Sequence, residues 1–238
     1  KEGALRALKK THDLKKIPLR ERKKAQTRLA IMDAMIERMR GKALADITVE
    51  EVCGDVQISR GTFFQYFPQK TDVLVLFALL WNLETLWKVT RAPDASPGLR
   101  AIEAMFLRLG EQVEEHPRLW AEVIATRALQ PEVFAYMGGS EEAQVGRAER
   151  LLRFPDLEGI ESVPEGNFRH FFELNLETAL REGDLPAETD LTMVFTSLAC
   201  IFYGVPLMSF EKKPMNCRES YMRQLHQLWK ALGAKGPA

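Results

Sequence analysis

The chain has 238 residues, 46% of them hydrophobic and 28% charged, with no net charge. That length and composition describe an ordinary globular protein of one large or two small domains and exclude a disordered or fibrous one. The longest unbroken apolar run, Val73–Trp81, is too short to cross a bilayer, no secretory leader pattern is present, and three widely spaced cysteines without a CxxC pair give neither a disulfide framework nor a zinc site. No membrane association and a reducing, cytoplasmic setting are therefore expected.

The zero net charge conceals an asymmetry. Residues 1–75 carry 16 Lys/Arg against 10 Asp/Glu, whereas the remainder carries 17 against 23. A basic head on an acidic body points to a polyanionic partner for the head, the alternative being a solvated basic arm. Most of the excess lies at the N-terminus, where Lys9, Lys10, Lys15, Lys16, Arg20, Arg22, Lys23 and Lys24 could follow a DNA backbone or minor groove, or form a solubilising tail.

Along the chain nearly every regular segment has a helical period. Ala25, Leu29, Met32, Ile36 and Met39 recur by fours and threes, and Gly41 follows at a C-cap position expected to favour positive φ. Thr48 is suited to cap a second helix, with Glu51 completing a capping box and Val49 and Val52 on its buried side. Ile58 then occupies a turn, and Ser59 is placed to cap a third helix. Two short helices joined by such a turn form a helix-turn-helix. A long apolar helix follows over about 70–91, ended by the Pro- and Gly-rich residues 92–98. Leu99, Ile102, Phe106, Leu109 and Val113 mark another helix, and Pro117 divides it from the next. Residues 153–166 read as a loop, and residues 182–186 end a further helix. Leu191, Val194, Leu198, Ile201 and Val205 predict a helix over about 188–209 that Pro206 kinks or ends, and Tyr221, Leu225, Leu228 and Leu232 one over 216–232. No strand alternation appears. The expected fold is all-α: a basic extension (1–20), a three-helix head with a helix-turn-helix (21–68), and a larger helical body (69–238).

The third helix contains Phe63, Phe64, Tyr66 and Phe67 within five positions. At 100° per residue, Phe63 and Phe67 share one side and are the natural anchors to the head, leaving Phe64 and Tyr66 outward. Exposed aromatics call for a partner. In DNA a ring packs on a thymine methyl or the sugar edge, Arg60 suits guanine O6 and N7, and Gln65 can read a base edge. Tyr66 and Lys70 suit phosphates.

The stretch ITVEEVCGDVQISRGTFFQYFPQKTDVL resembles the DNA-binding signature of the TetR family of transcriptional regulators. The matching features are Thr48, Ile58-Ser59, Gly61-Thr62, an aromatic at 64, Phe67, and Lys70 followed by Asp72 and Leu74. The resemblance implies a DNA-binding set of Thr48, Ser59, Arg60, Gly61, Thr62, Phe64, Gln65, Tyr66 and Lys70. It further implies a homodimer on a near-palindromic double-stranded operator, released by a small-molecule effector and usually repressing. Two positions depart from the family pattern. Val56-Gln57 replaces the usual Ala-Gly of the turn, and Phe64 replaces a tyrosine, removing a phosphate hydrogen bond.

For the body, the resemblance implies dimerisation through the last two long helices. The 188–209 segment supports this, because Phe195 and Phe202 add a second apolar stripe to its first; full burial within one subunit is the alternative. An implied effector pocket draws its candidates from large side chains of the middle helices, Trp81, Phe106, Trp120, Phe168 and Phe172, with Trp87 and Phe171 beside them. Asn175 and His170 are candidates to orient a polar group. This inventory suggests an apolar or aromatic effector. No HExxH, GxSxG, P-loop or GxGxxG is present, so neither enzymatic activity nor a metal or cofactor is expected. A redox role for Cys53 or Cys200 would require an exposed, electropositive thiol. The alternative of a different class is an all-α small-ligand or lipid carrier that does not touch DNA.

Overall fold

The computed structural model describes residues 14, 16–91, 95–130, 145–164, 168–210 and 216–235, so Lys9, Lys10 and Lys15 of the expected basic extension lie outside the described residues. These fold into ten α-helices and two short 3-10 turns, with no strand among them. The all-α expectation therefore holds. Two compact units result: residues 1–84 with 126–165, and residues 85–125 with 166–238.

In the first unit, α1 (Leu19–Met39) follows Pro18 and carries Glu21 in its first turn, as a helix start favours. Its buried face is wider than the sequence stripe: Ile31 and Met35 are fully buried beside Ala25, Leu29, Met32 and Met39, whereas Ile36 is half-buried. Gly41 does not take a positive φ. The helix end is instead closed by tight bonds from Arg40 N to Glu37 O and from Gly41 N to Arg38 O. After a 3-10 turn (Leu44–Asp46) come α2 (Val49–Val56), α3 (Arg60–Tyr66) and the start of α4 (Asp72–Arg91).

Among the described residues the same unit also holds 126–130 and 145–164, including α7 (Arg147–Arg153), which packs on α1. Ala148, Leu151 and Leu152 meet Ile17 and Ala25 in an apolar cluster. Arg28 pairs with the buried Glu149 at 2.7 Å, and Arg153 with Asp33 at 2.8 Å. Glu149 also accepts from Gly146 N, capping its own helix. Burial nevertheless raises its carboxyl, opposing the Arg28 charge. The segment read as a loop contains a 3-10 turn (Ile160–Ser162) with Ile160 fully buried, and Arg150 ties it down by donating to Val145 O and Val163 O.

The second unit comprises the end of α4, α5 (Leu99–Glu115), most of α6 (Pro117–Leu129), α8 (Phe168–Glu182), α9 (Leu191–Ser209) and α10 (Cys217–Ala231). α5 and α10 cross closely at Gly110, where a Cβ would sit 2.9 Å from Arg218 Cα, so a side chain there would force them apart. Tyr221 is fully buried and donates to Phe202 O at 2.9 Å, and Trp229 donates to Glu103 at 3.1 Å. Pro206 lies inside α9 and does not end it.

Two helices, α4 and α9, are long and apolar enough to cross a membrane, which the nine-residue run in the sequence does not reveal. In α4, 78% of the apolar window is buried inside the protein, as befits a core helix. In α9 only 22% is, and Met193, Tyr203, Leu207 and Met208 are exposed.

Candidate nucleic-acid interface

The helix-turn-helix is built by side chains that reach no more than one helical turn. Thr48 Oγ1 accepts from Glu51 N at 3.2 Å while Thr48 N donates to Glu51 Oε2 at 2.8 Å, the reciprocal box that starts α2. Ser59 Oγ accepts from Thr62 N at 3.1 Å and starts α3. Between them, Gln57 takes φ 57° and ψ 49°, the only positive φ at a non-glycine residue among the described ones. This is how the turn closes without the usual glycine. A side chain in that region costs roughly 1–2 kcal/mol, only partly offset by the unfolded-state freedom glycine adds. Gln57→Gly is therefore expected to stabilise the protein by about 1 kcal/mol, raising the midpoint of a differential scanning calorimetry melt by roughly 2–4 °C. A lower midpoint would mean that the Gln57 side chain stabilises the turn.

Phe63 and Phe67 are buried, at 0% and 1% exposure, whereas Phe64 is 41% exposed. The rings of Phe63 and Phe64 meet edge to face at 5.4 Å, and the Arg28 guanidinium lies 5.7 Å from the centre of the Phe67 ring. Arg60, Gly61 and Gln65 are exposed, as are Thr48 and Ser59, while Thr62 and Tyr66 are half-buried. Arg60 reaches Glu50 at 2.7 Å, but both side chains are largely in water, so this pair is weak and can open to a competing partner. Its guanidinium also lies 6.0 Å from the Phe64 ring centre.

Lys70 behaves differently from the sequence expectation of a phosphate contact. Its ammonium donates to Leu44 O at 2.9 Å, Ala45 O at 3.3 Å and Ile47 O at 2.9 Å. Three donors meet three carbonyls of the 3-10 turn and its C-cap, which ties the segment leading into α2 to the one leading into α4.

A second clamp was not legible in the sequence. Arg38 of α1 grips Asp55 of α2 through two bonds of 2.6 and 2.9 Å, and also donates to Glu51 Oε1 and O. Lys42 adds a bond to Glu51. The Lys42 bond, then the Thr48 N–H, lower the Glu51 carboxyl from the ordinary 4.5 to about 2, and the Arg38 bond lowers that of Asp55. Both folded values lie below the unfolded ones. The Glu51 contribution is therefore complete above about pH 5 and is lost as pH falls through about 2, and that of Asp55 is likewise lost toward low pH. Head helicity followed by far-UV circular dichroism should decay across that window, and Glu51→Gln/Asp55→Asn should flatten the decay. An unchanged acid limb in the double variant would dismiss the clamp.

The effector candidates divide. Trp81 lies in the first unit, and Phe106, Trp120, Phe168, Phe172 and Asn175 in the second. Phe106 stacks on Phe172 at 5.9 Å, Phe168 lies 6.4 Å from Phe172, and Phe195, Phe202 and Tyr221 complete an aromatic cluster. Asn175 is already engaged on both sides of its amide, accepting from Gly98 N at 2.9 Å and donating to Phe171 O at 2.8 Å. It thereby anchors the turn before α5. His170 is exposed. Cys53 is buried and its thiol raised by that burial, so it lacks the thiolate a redox switch needs, whereas Cys200 is exposed on α9.

No protein-family model matches the sequence, and neither does any curated protein. Solved structures do match the fold. GusR of Salmonella enterica is 18% identical with a TM-score of 0.53, covering 87% of this chain and 95% of its own. A protein of Rhodococcus sp. assigned to the TetR family of transcriptional regulators is 12% identical at 0.57, covering 86% and 99%. FadR of Thermus thermophilus, a TetR-family repressor solved with lauroyl-CoA, is 21% identical at 0.53, covering 89% and 99%.

Proposed function

We propose that this chain, built on the fold of TetR-family transcriptional regulators, is a ligand-responsive regulator that binds DNA as a homodimer and represses from a near-palindromic operator in the cytoplasm. The observation that carries the proposal is the division of α3. Phe63 and Phe67 hold the helix to the head, leaving Arg60, Phe64 and Gln65 on the free side. A helix so held enters the major groove, which admits one α-helix. There Arg60 would leave Glu50 for guanine O6 and N7, Gln65 would read an adjacent edge, and Phe64 would pack on a thymine methyl or sugar. Thr48, Ser59 and Thr62 sit at the helix starts, where hydroxyls and N–H groups meet phosphates, and Gly61 lets the backbone approach.

The dimer reading is supported by α9, whose Met193, Tyr203, Leu207 and Met208 face outward on an otherwise apolar helix. An apolar or aromatic effector is supported by the aromatic cluster around Phe106 and Phe172, and regulators of this fold include one solved with a fatty-acyl thioester. Such an effector acts by binding the state incompetent for DNA more tightly. A coupling of about 1–3 kcal/mol changes operator affinity roughly 5- to 150-fold.

Selection of bound duplexes from random sequence by the purified protein tests the proposal. A recovered motif with two related half-sites about one helical turn apart is expected. Recovery without sequence preference, together with stabilisation by apolar ligands, would favour a carrier instead.

A further inference from the structure

Several cations of the head already have a partner within it. Arg28 is taken by Glu149, Arg38 by Glu51 and Asp55, Lys42 by Glu51, Arg60 by Glu50, and Lys70 by three carbonyls. Recognition helix α3 therefore brings one arginine, already paired, to a partner that is densely anionic. Arg20, Lys23 and Lys24 differ. They are exposed and form no salt bridge among the described residues, although the charge of Lys24 acts together with that of Arg28 to favour the ionised Glu149. Their spacing of three and four places them on one side of α1.

These three side chains line a groove of about 780 Å³, whose other wall is Gln65 and Tyr66 of α3; Glu21 also lines it. The geometry matters because a helix with its side chains is about 10–12 Å across and the major groove about 12 Å wide. A recognition helix that reaches base edges therefore has a sugar-phosphate strand along its flank. On this flank of α3 the strand would meet three lysine and arginine side chains, an amide and a phenol.

We propose that Arg20, Lys23 and Lys24, with Gln65 and Tyr66, form a track for the sugar-phosphate backbone of one duplex strand and supply most of the head's electrostatic affinity. This rests on the DNA-binding reading above. The contacts fall on phosphates, so they position the head without carrying sequence preference.

The test measures affinity by fluorescence anisotropy for the selected operator and for a scrambled duplex, across KCl concentrations. Each phosphate neutralised contributes about 0.9 to the slope of log affinity against log salt. Arg20→Gln/Lys23→Gln/Lys24→Gln should lower that slope by about 2.7 for each head engaged. The corresponding loss of salt sensitivity between about 50 and 200 mM is roughly 40-fold per head. The reduction should be equal on both duplexes, and Arg20→Lys/Lys23→Arg/Lys24→Arg should restore the slope. A body variant removing the same charge, Arg118→Gln/Arg181→Gln/Lys235→Gln, should leave it unchanged, separating contact from the general field of the protein. An unchanged slope in the first variant, an equal fall in the body variant, or a fall confined to the operator would each overturn the track. The same experiment keeps the two readings apart: wild-type protein without operator preference removes the regulator proposal, whereas wild-type preference with an unaltered variant slope removes only this one.

Discussion

Phe63→Ala is expected to cost about 3–5 kcal/mol and to leave the head unfolded or nearly so at physiological temperature. Phe63 has no exposed surface, and its ring touches both Phe64, at 5.4 Å, and Phe67, at 6.0 Å. Truncation leaves a ring-sized cavity in a head whose helices are too short to be stable alone, since α2 has eight residues and α3 seven. Total stability of such proteins is only about 5–15 kcal/mol, so the loss is a large share. Phe64→Ala, one residue on, is the contrast. Its ring is 41% exposed, so the melt should move by less than about 1 kcal/mol. Operator affinity should fall instead, roughly three- to tenfold, as the loss of one apolar base or sugar contact costs about 1 kcal/mol. Thermal denaturation and anisotropy titration on both variants decide the matter. Equal stability losses would mean that α3 is held differently and that its free side is not free.

Lys70→Met is the second large effect, and it separates two roles for one residue. If the ammonium serves the head, its removal leaves the carbonyls of Leu44 and Ile47 without their donor in a half-buried setting, at about 1–3 kcal/mol each. Unfolding should then shift down by roughly 2–6 kcal/mol, while protein that remains folded keeps its salt slope. If Lys70 instead served a phosphate, the melt would be unaltered and the slope would fall by about 0.9 per head. Methionine retains most of the aliphatic stem, so packing alone does not account for the first result. Denaturant unfolding with anisotropy at low temperature reads both quantities. An unchanged midpoint with a reduced slope would return Lys70 to the DNA surface.

What was readable along the chain and what was not follow the range of the forces involved. The apolar row of α1, the capping box at Thr48 and Glu51, the Ser59 cap and the inward pair Phe63 and Phe67 all depend on residues three or four apart. Periodicity and cap chemistry express that spacing directly, which is why the helix-turn-helix and the all-α class were determined by the sequence itself. Gln57 was a half-legible case: the absence of glycine was visible, but the left-handed backbone that answers it is set by how α2 and α3 must meet.

Partners distant along the chain were decided only by the tertiary structure. Lys70 turns to carbonyls 23–26 residues away, Arg38 to carboxylates 13 and 17 away, Arg28 to Glu149 across 121, and Asn175 to Gly98 across 77. Arginine, lysine and asparagine carry flexible or multivalent polar groups that suit a phosphate, a ligand or a backbone carbonyl equally well. The sequence supplies their chemistry, but burial and the nearest complementary group select the partner. The basic head and the outward Phe64 were thus written in the chain, whereas Tyr66, expected outward as well, is half-buried. Which of its cations are held internally, and which three of α1 are left facing a groove beside α3, was settled by the packing.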